Sequence, residues 1–217
     1  MEQRPVPAVC RILRSNVRGL DRNLSDLAVA SSQYDILLYS ETLVSDMRHV
    51  SEMLVPGFGR PVLLCRSKIP RAHRMAAYVR DGFEAFRSRK IECGYCEILF
   101  FRVCGVRHNI YVYSLYRNAD LDDLIFDCLL ASMAAVQAED FCASLMFMGD
   151  LIGHQQEWFG STTMNRHGVA AFDFTTVSDC YQLDVGPTHS RGGTLDLLMT
   201  DVPDLVGEWA GGSDRAD

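Results

Sequence analysis

The apolar run "SLMFM" closes abruptly in Gly149-Asp150. A buried strand that ends this way delivers a carboxylate to the rim of a sheet. "YDILLYSE" presents Glu41 in the same manner, and "GGTLDLLMT" carries Asp196 inside an apolar strand. A charge there is costly unless it is paired or ion-bound. Asn16 follows the first strand in "LRSNVRGL", and Tyr116 and Asn118 close "NIYVYSLYRN". Any one of these residues alone reads as structural; their recurrence at strand ends carries the functional reading. Strands of one sheet bring their ends together, and hard oxygen ligands gathered there suit Mg²⁺.

The elements that must position them follow from apolar patterning. Buried strands are expected at 8–13 and 34–40, with a helical stretch at about 19–31 between them. Segments 61–65, 75–80, 96–103 and 109–116, rich in Val, Ile, Phe and Tyr, read as a run of strands. The clearest helix spans 118–140, with Leu121, Leu124, Ile125, Cys128, Leu129 and Val136 near one face and Asp122 and Asp123 at its positive N-terminal end. A strand at 143–150, a short helix at 167–179 and a strand at 193–201 complete the chain. The pattern is mixed α/β in one domain.

Length and composition agree: 217 residues, 48% hydrophobic and 23% charged, are ordinary for one globular domain. No apolar run of ~18 residues exists, so no membrane span is expected. The first residues, "MEQRPVPAVCRIL", do not read as a signal peptide, and the eight cysteines read as free thiols of an intracellular protein. A net charge of −7 argues against a simple nucleic-acid coat. Its distribution is uneven. Residues 60–90 hold nine Lys/Arg against two acids, a local +7, and residues 119–217 hold three Arg against seventeen acids, a local −14. Such a pair of regions suits a polyanion at one place and a divalent cation at another, or two separate solvated surfaces.

"SNVRGL", "YSETLV", "VYSLYRNADLDD", "FMGDLIGHQQEW", "HGVAAFDF" and "PTHSRGGTLDLLMTDVPDL" occur in this order. The ordered set resembles the endonuclease/exonuclease/phosphatase superfamily, and more narrowly the endonuclease domain of LINE-type (non-LTR) retrotransposons. The resemblance covers 8–206. It implies a four-layer αββα sandwich of two mixed sheets flanked by helices. It also implies Mg²⁺- or Mn²⁺-dependent phosphodiester cleavage that nicks target DNA for reverse transcription, with a nuclear place of action. By the same resemblance Glu41 is the metal-binding glutamate and Asn16 the asparagine beside it. Tyr116 and Asn118 contact the scissile phosphate, with Arg117 between them as a further cation. Asp150 orients or deprotonates the attacking water, Asp196 holds the catalytic histidine, and Asn165 and Arg166 contact the nucleic-acid backbone.

Two departures predict that this copy is weak or inactive. The family motif Gly-Asp-x-Asn reads Gly149-Asp150-Leu151-Ile152 here, and an aliphatic side chain neither donates nor accepts a hydrogen bond. The family's Ser-Asp-His reads Ser213-Asp214-Arg215, and arginine does not serve as a near-neutral proton donor. The spacing predicts that the closing strands are missing and that 207–217 form a disordered tail. Among the other histidines, His154 is the better substitute, while His189 reads as a loop residue and His167 as a helix flank. Cys93 and Cys96 form a lone Cys-x-x-Cys without the second ligand pair that structural zinc needs, so no zinc is expected. Trp158 reads as core. The expected partner is DNA and the expected state a monomer; the alternative is a non-catalytic nucleic-acid-binding or interaction fragment that keeps the fold.

Overall fold

The computed structural model describes residues 9–20, 24–25, 28–29, 31–44, 53–65, 73–92, 97–105, 109–116, 124–151, 165–183 and 196–207. The strands are β1 (Ile12–Asn16), β2 (Ile36–Val44), β3 (Val62–Cys65), β4 (His73–Val79), β5 (Ala85–Arg87), β6 (Glu97–Val103), β7 (Ile110–Tyr116), β8 (Ser144–Asp150), β9 (Tyr181–Gln182) and β10 (Asp196–Thr200). The α-helices described end to end are α1 (Leu124–Glu139) and α2 (Arg166–Val177). One sheet has the order β1-β2-β4-β3, the other β5-β6-β7-β8-β10-β9. Each is mixed: β1 runs parallel to β2 and β7 to β8, and the remaining pairs are antiparallel.

The two-residue period of a strand sorts the core into three layers. In β6, Leu99, Phe101 and Val103 face the other sheet, where they meet Ile36, Leu38, Met75 and Ala77. Ile98 and Phe100 face the opposite way, toward Ile125, Leu129 and Met133 of α1 and Phe174 of α2. Leu37, Tyr39, Ala76 and Tyr78 cover the outer face of the smaller sheet together with Leu20, and Leu24 and Ala28 pack against them. Burial of each large side chain is worth about 1.5–3 kcal/mol, so the sheets supply most of the apolar stabilisation. The Phe174 ring lies 5.4 Å from Phe147 and 5.7 Å from Phe126, which fastens α2 to the sheet and to α1. The result is the expected arrangement of two mixed sheets with flanking helices.

Several boundaries move. The first strand, expected at 8–13, is Ile12–Asn16. Its parallel register sets Ile12 opposite Ile36 and Asn16 opposite Ser40, so the polar stretch Arg14-Ser15-Asn16 is strand because its partners lie across the fold. Within the expected 19–31 helix, residues 20, 24, 25, 28 and 29 are helical. Leu124, placed on the apolar face of α1, is instead exposed, and Phe126 and Met133 join Ile125, Leu129 and Val136 on the buried side. The three-residue β5 and two-residue β9 lack enough alternation to be read from sequence. The free-thiol expectation holds for Cys10, Cys104, Cys142 and Cys180 and fails at Cys128, which is disulfide-bonded. Burial pushes the Cys10 thiol up to about 12 and the Cys180 thiol up to about 11, so both are protonated near neutrality. Cys93 and Cys96 lie outside the described residues, as does the expected tail beyond Gly207.

At the end of α1, Asp140 Oδ2 accepts from Asn109 Nδ2 at 2.7 Å and from the Tyr111 hydroxyl at 3.1 Å. The Asn109 bond foremost holds the Asp140 carboxyl below its usual range. A depressed folded-state value means the carboxylate stabilises the fold above its unfolded pKa, and that this contribution is lost as pH falls through the folded one. Asp140→Asn should therefore melt below the original chain near neutrality, and the gap should begin to close only as pH falls below about 5 and go on closing below the ordinary aspartate value of about 3.9. Melting curves of both proteins across that interval check it.

Candidate active site

Three strand ends of the larger sheet stand side by side. Tyr116 at the end of β7 is in register with Asp150 at the end of β8, and Asp150 is in register with Asp196 at the start of β10. On the other side of Tyr116, Glu97 opens β6. Neighbouring strands lie about 4.8 Å apart, so the four residues form one row across the sheet. All four share the face that carries Leu99, Val112, Met148 and Leu198, which is the face turned to the second sheet.

The second sheet meets this row with the end of β1 and the bulge within β2, which runs past the expected end at residue 40 to Val44. Asn16 is opposite Ser40, and Glu41 follows. At Glu41 the strand is irregular: the β2–β4 register shifts between Ser40 and Val44, and Glu41 and Leu43 both have φ of 52°. Left-handed backbone in a non-glycine residue is strained, and a bulge of this kind re-aims a side chain. The turn after β1 braces it. Val17 N donates to Ser40 O at 3.1 Å and Gly19 N to Glu41 O at 2.9 Å, with Arg18 (φ 43°) and Gly19 (φ 116°) also left-handed. Asn16 Oδ1 accepts from the Arg18 amide at 3.3 Å, so its side chain helps to shape the turn. Thus aimed, Glu41 Oε1 accepts a hydrogen bond of 3.0 Å from the Tyr116 hydroxyl. That contact joins the two sheets at the candidate site.

Asp196 has its own cross-sheet partner. Arg14 Nη1 forms an ion pair with Asp196 Oδ1, and Arg14 Nη2 donates to Ser40 Oγ at 3.3 Å. The Arg14 side chain is 6% exposed and that of Asp196 27%. Sequence reading missed Arg14, Ser40 and Glu97. The signal for Arg14 was its two-residue spacing from Asn16, which puts both on one strand face. For Glu97 it was an acid at the head of the alternating run that continues through Leu99, Phe101 and Val103.

Asn16, Glu41, Tyr116, Asp150 and Asp196 therefore meet at one rim between the sheets. Asn118, Arg117, Ile152, His154, Trp158 and His189 lie outside the described residues. Asn165 is the N-cap of α2, its side-chain oxygen accepting from Gly168 N at 2.7 Å, so that atom is committed to the helix. Arg166 lines a cavity of about 520 Å³ between α1 and α2, with Leu124, Asp127 and Asp173 among its neighbours. Among the described residues no group of three or more His, Cys, Asp or Glu is placed to enclose a metal ion. The donor set fits a different kind of ion site. Mg²⁺ retains several waters and is held through one or two carboxylates plus substrate phosphates. Glu41, at the bulge within β2, and the Asn16 amide, at the end of the adjacent β1, supply hard oxygens of that kind.

No sequence-family model matches the chain, and no characterised protein matches it by sequence. Solved structures do match. The endonuclease domain of TRAS1, a telomere-specific non-LTR retrotransposon, superposes with a TM-score of 0.67 at 14% identity, over 93% of this chain and 90% of that one. The AP endonuclease LMAP from Leishmania major gives a TM-score of 0.66 at 12% identity, over 88% and 78%. The catalytic domain of APE2 from Xenopus laevis gives 0.65 at 11% identity, over 94% and 88%. At these identities the likeness is one of fold. The chain has the sandwich fold of the endonuclease/exonuclease/phosphatase superfamily and resembles in it a non-LTR retrotransposon endonuclease domain.

Proposed function

We infer that this chain is a divalent-metal-dependent DNA phosphodiesterase of the retrotransposon endonuclease kind, with weak cleavage in this copy. The observation that carries the reading is the hydrogen bond from Tyr116 to Glu41 across the sheets, with Asp150 and Asp196 in register beside it. In this reading the substrate is chromosomal DNA, nicked in the nucleus to prime reverse transcription.

Each residue has a task set by its place. Glu41, with Asn16, holds the cation, and the Tyr116 hydroxyl keeps the Glu41 carboxylate oriented. When bound, Mg²⁺ or Mn²⁺ offsets negative charge on the phosphate oxygens. Asp150 lies one strand from Tyr116 and accepts a proton from, or orients, a water attacking the phosphorus in line. Asn118 and Arg117, which follow Tyr116 directly, donate to the phosphate by their resemblance to family positions. Fixed donors aimed at developing charge are worth most in such a reaction. Two of them are compromised in sequence. Ile152 offers no donor beside Asp150, and Arg215 stands where the family has histidine.

The test is nicking of supercoiled plasmid by the 217-residue chain with Mg²⁺, against EDTA and Asp150→Ala controls. Slow nicking, abolished by both controls, is the expected result. Duplex binding without any nicking indicates the rival, a non-catalytic nucleic-acid-binding module; neither binding nor nicking refutes the proposal. Loss of one transition-state donor ordinarily lowers a rate about 10²–10³-fold. Ile152→Asn alone should nonetheless raise nicking by less than about tenfold, because groups that act as a unit are strongly non-additive. Rates of the original and the variant under single-turnover conditions decide this.

A further inference from the structure

Three acids open or close strands on one face of the larger sheet: Asp150 and Asp196 on adjacent strands and Glu97 on the far side of Tyr116, with Glu41 opposite. Asp150 and Asp196 are direct cross-strand neighbours. Like charges so placed repel. Arg14 reaches this row from the other sheet, and its buried guanidinium engages Asp196 and, through Ser40, the strand that carries Glu41. A planar fork can hold two acceptors at fixed angles, which a lysine ammonium does not do.

We propose that Arg14 is a positioning residue of this site: by holding Asp196 and Ser40 together it fixes the Asp150–Asp196 side of the rim against the Glu41 side. The proposal rests on the nuclease reading above and extends it. Its consequence is that Asp196 already has a buried cationic partner. The carboxylate that the family resemblance assigns to a histidine is committed here to a residue of β1. Arg14 acts through Asp196 and Ser40 and not on the phosphate, since its side chain is nearly closed to solvent.

Magnesium-dependent binding of a short DNA duplex, followed by fluorescence anisotropy at several salt concentrations, tests this. Partners that orient a site's ligands typically matter about 10–100-fold. Arg14→Met should weaken binding about tenfold. Asp196→Asn should weaken it comparably, although it removes a negative charge near a polyanion. The double variant should be no more than about twofold weaker than either, because the two residues act through one contact. It also carries no orphaned buried charge, so it keeps the comparison readable where Arg14→Met alone fails to fold. The slope of log affinity against log salt should stay unchanged. A slope reduced by about 0.9 means that Arg14 touches phosphate itself and overturns the positioning role. So does tighter binding by Asp196→Asn, or a double variant that binds within about twofold of the original. If the original chain binds no duplex, the nuclease reading fails and takes this role with it. Binding that the variants retain defeats the Arg14 proposal alone.

Discussion

Gly149→Ala should cripple the fold. A Cβ built on Gly149 would lie 2.0 Å from the backbone oxygen of Leu115 and 2.6 Å from its carbonyl carbon. The neighbouring atom is main chain of β7, the parallel partner of β8, and cannot rotate away. Relief therefore requires the two central strands of the larger sheet to separate, and the core on both sides moves with them. Leu115 packs beneath the helices, and Met148, beside the glycine, packs between the sheets. Overpacking of this kind costs about 3 kcal/mol or more. In a domain of this size that lowers the melting temperature by roughly 6–12 °C. Gly207→Ala is the control: among the described residues nothing lies within 4 Å of its added Cβ, so its melting point should not change. Equal melting of Gly149→Ala and the original chain would falsify the close approach. The glycine of the Gly-Asp pair thus serves the sheet, while the aspartate beside it belongs to the proposed site.

At Glu41 stability and chemistry should part company. In an ordinary strand, glycine is less stable than alanine by about 0.5–1 kcal/mol. Glu41 has a left-handed backbone, where an L side chain costs roughly 1–2 kcal/mol. The order should therefore invert, with Glu41→Gly more stable than Glu41→Ala by about 1 kcal/mol. Both variants lose the carboxylate and the Tyr116 contact equally, so their difference isolates backbone strain. Both should also lose Mg²⁺-dependent nicking. Leu43 offers a parallel free of chemistry: it has the same φ of 52° and is exposed, so Leu43→Gly should stabilise the chain without altering nicking. Denaturant midpoints for the three variants and the original chain settle the strain argument. Nicking retained by Glu41→Ala would remove Glu41 from the proposed mechanism.

Both results bear on why the site is built where it is. Glu41 accepts its strained conformation because the turn Asn16–Gly19 hydrogen-bonds around it and Tyr116 holds its carboxylate from the opposite sheet. Local sequence would not choose that backbone; tertiary contacts impose it. Strain kept at a site and offset by packing elsewhere is the expected signature of a functional constraint.

The sequence by itself determined the alternation that makes β6, β7 and β8 strands, the apolar stripe of α1, and the order of acids and amides at strand ends. Those are local properties, set by a period of two or of 3.6 and by where apolar runs stop. It also carried the ordered motifs that point to the endonuclease-like sandwich. What it left open required contacts distant in the chain. β1 begins four residues later than its apolar content suggests, because Arg14 and Asn16 become strand only when Asp196 and Ser40 stand opposite them. Leu124 falls outside the buried face of α1, since the sheet surface, not the helical period alone, decides which residues are covered. Asn165 is a helix cap because Gly168 offers it an amide hydrogen. Tertiary structure alone decided that Asp196 faces Arg14. No spacing in the chain pairs residue 14 with residue 196; only the stacking of two sheets brings a cation from one against an acid from the other, where the guanidinium is too closed off from solvent to stand alone.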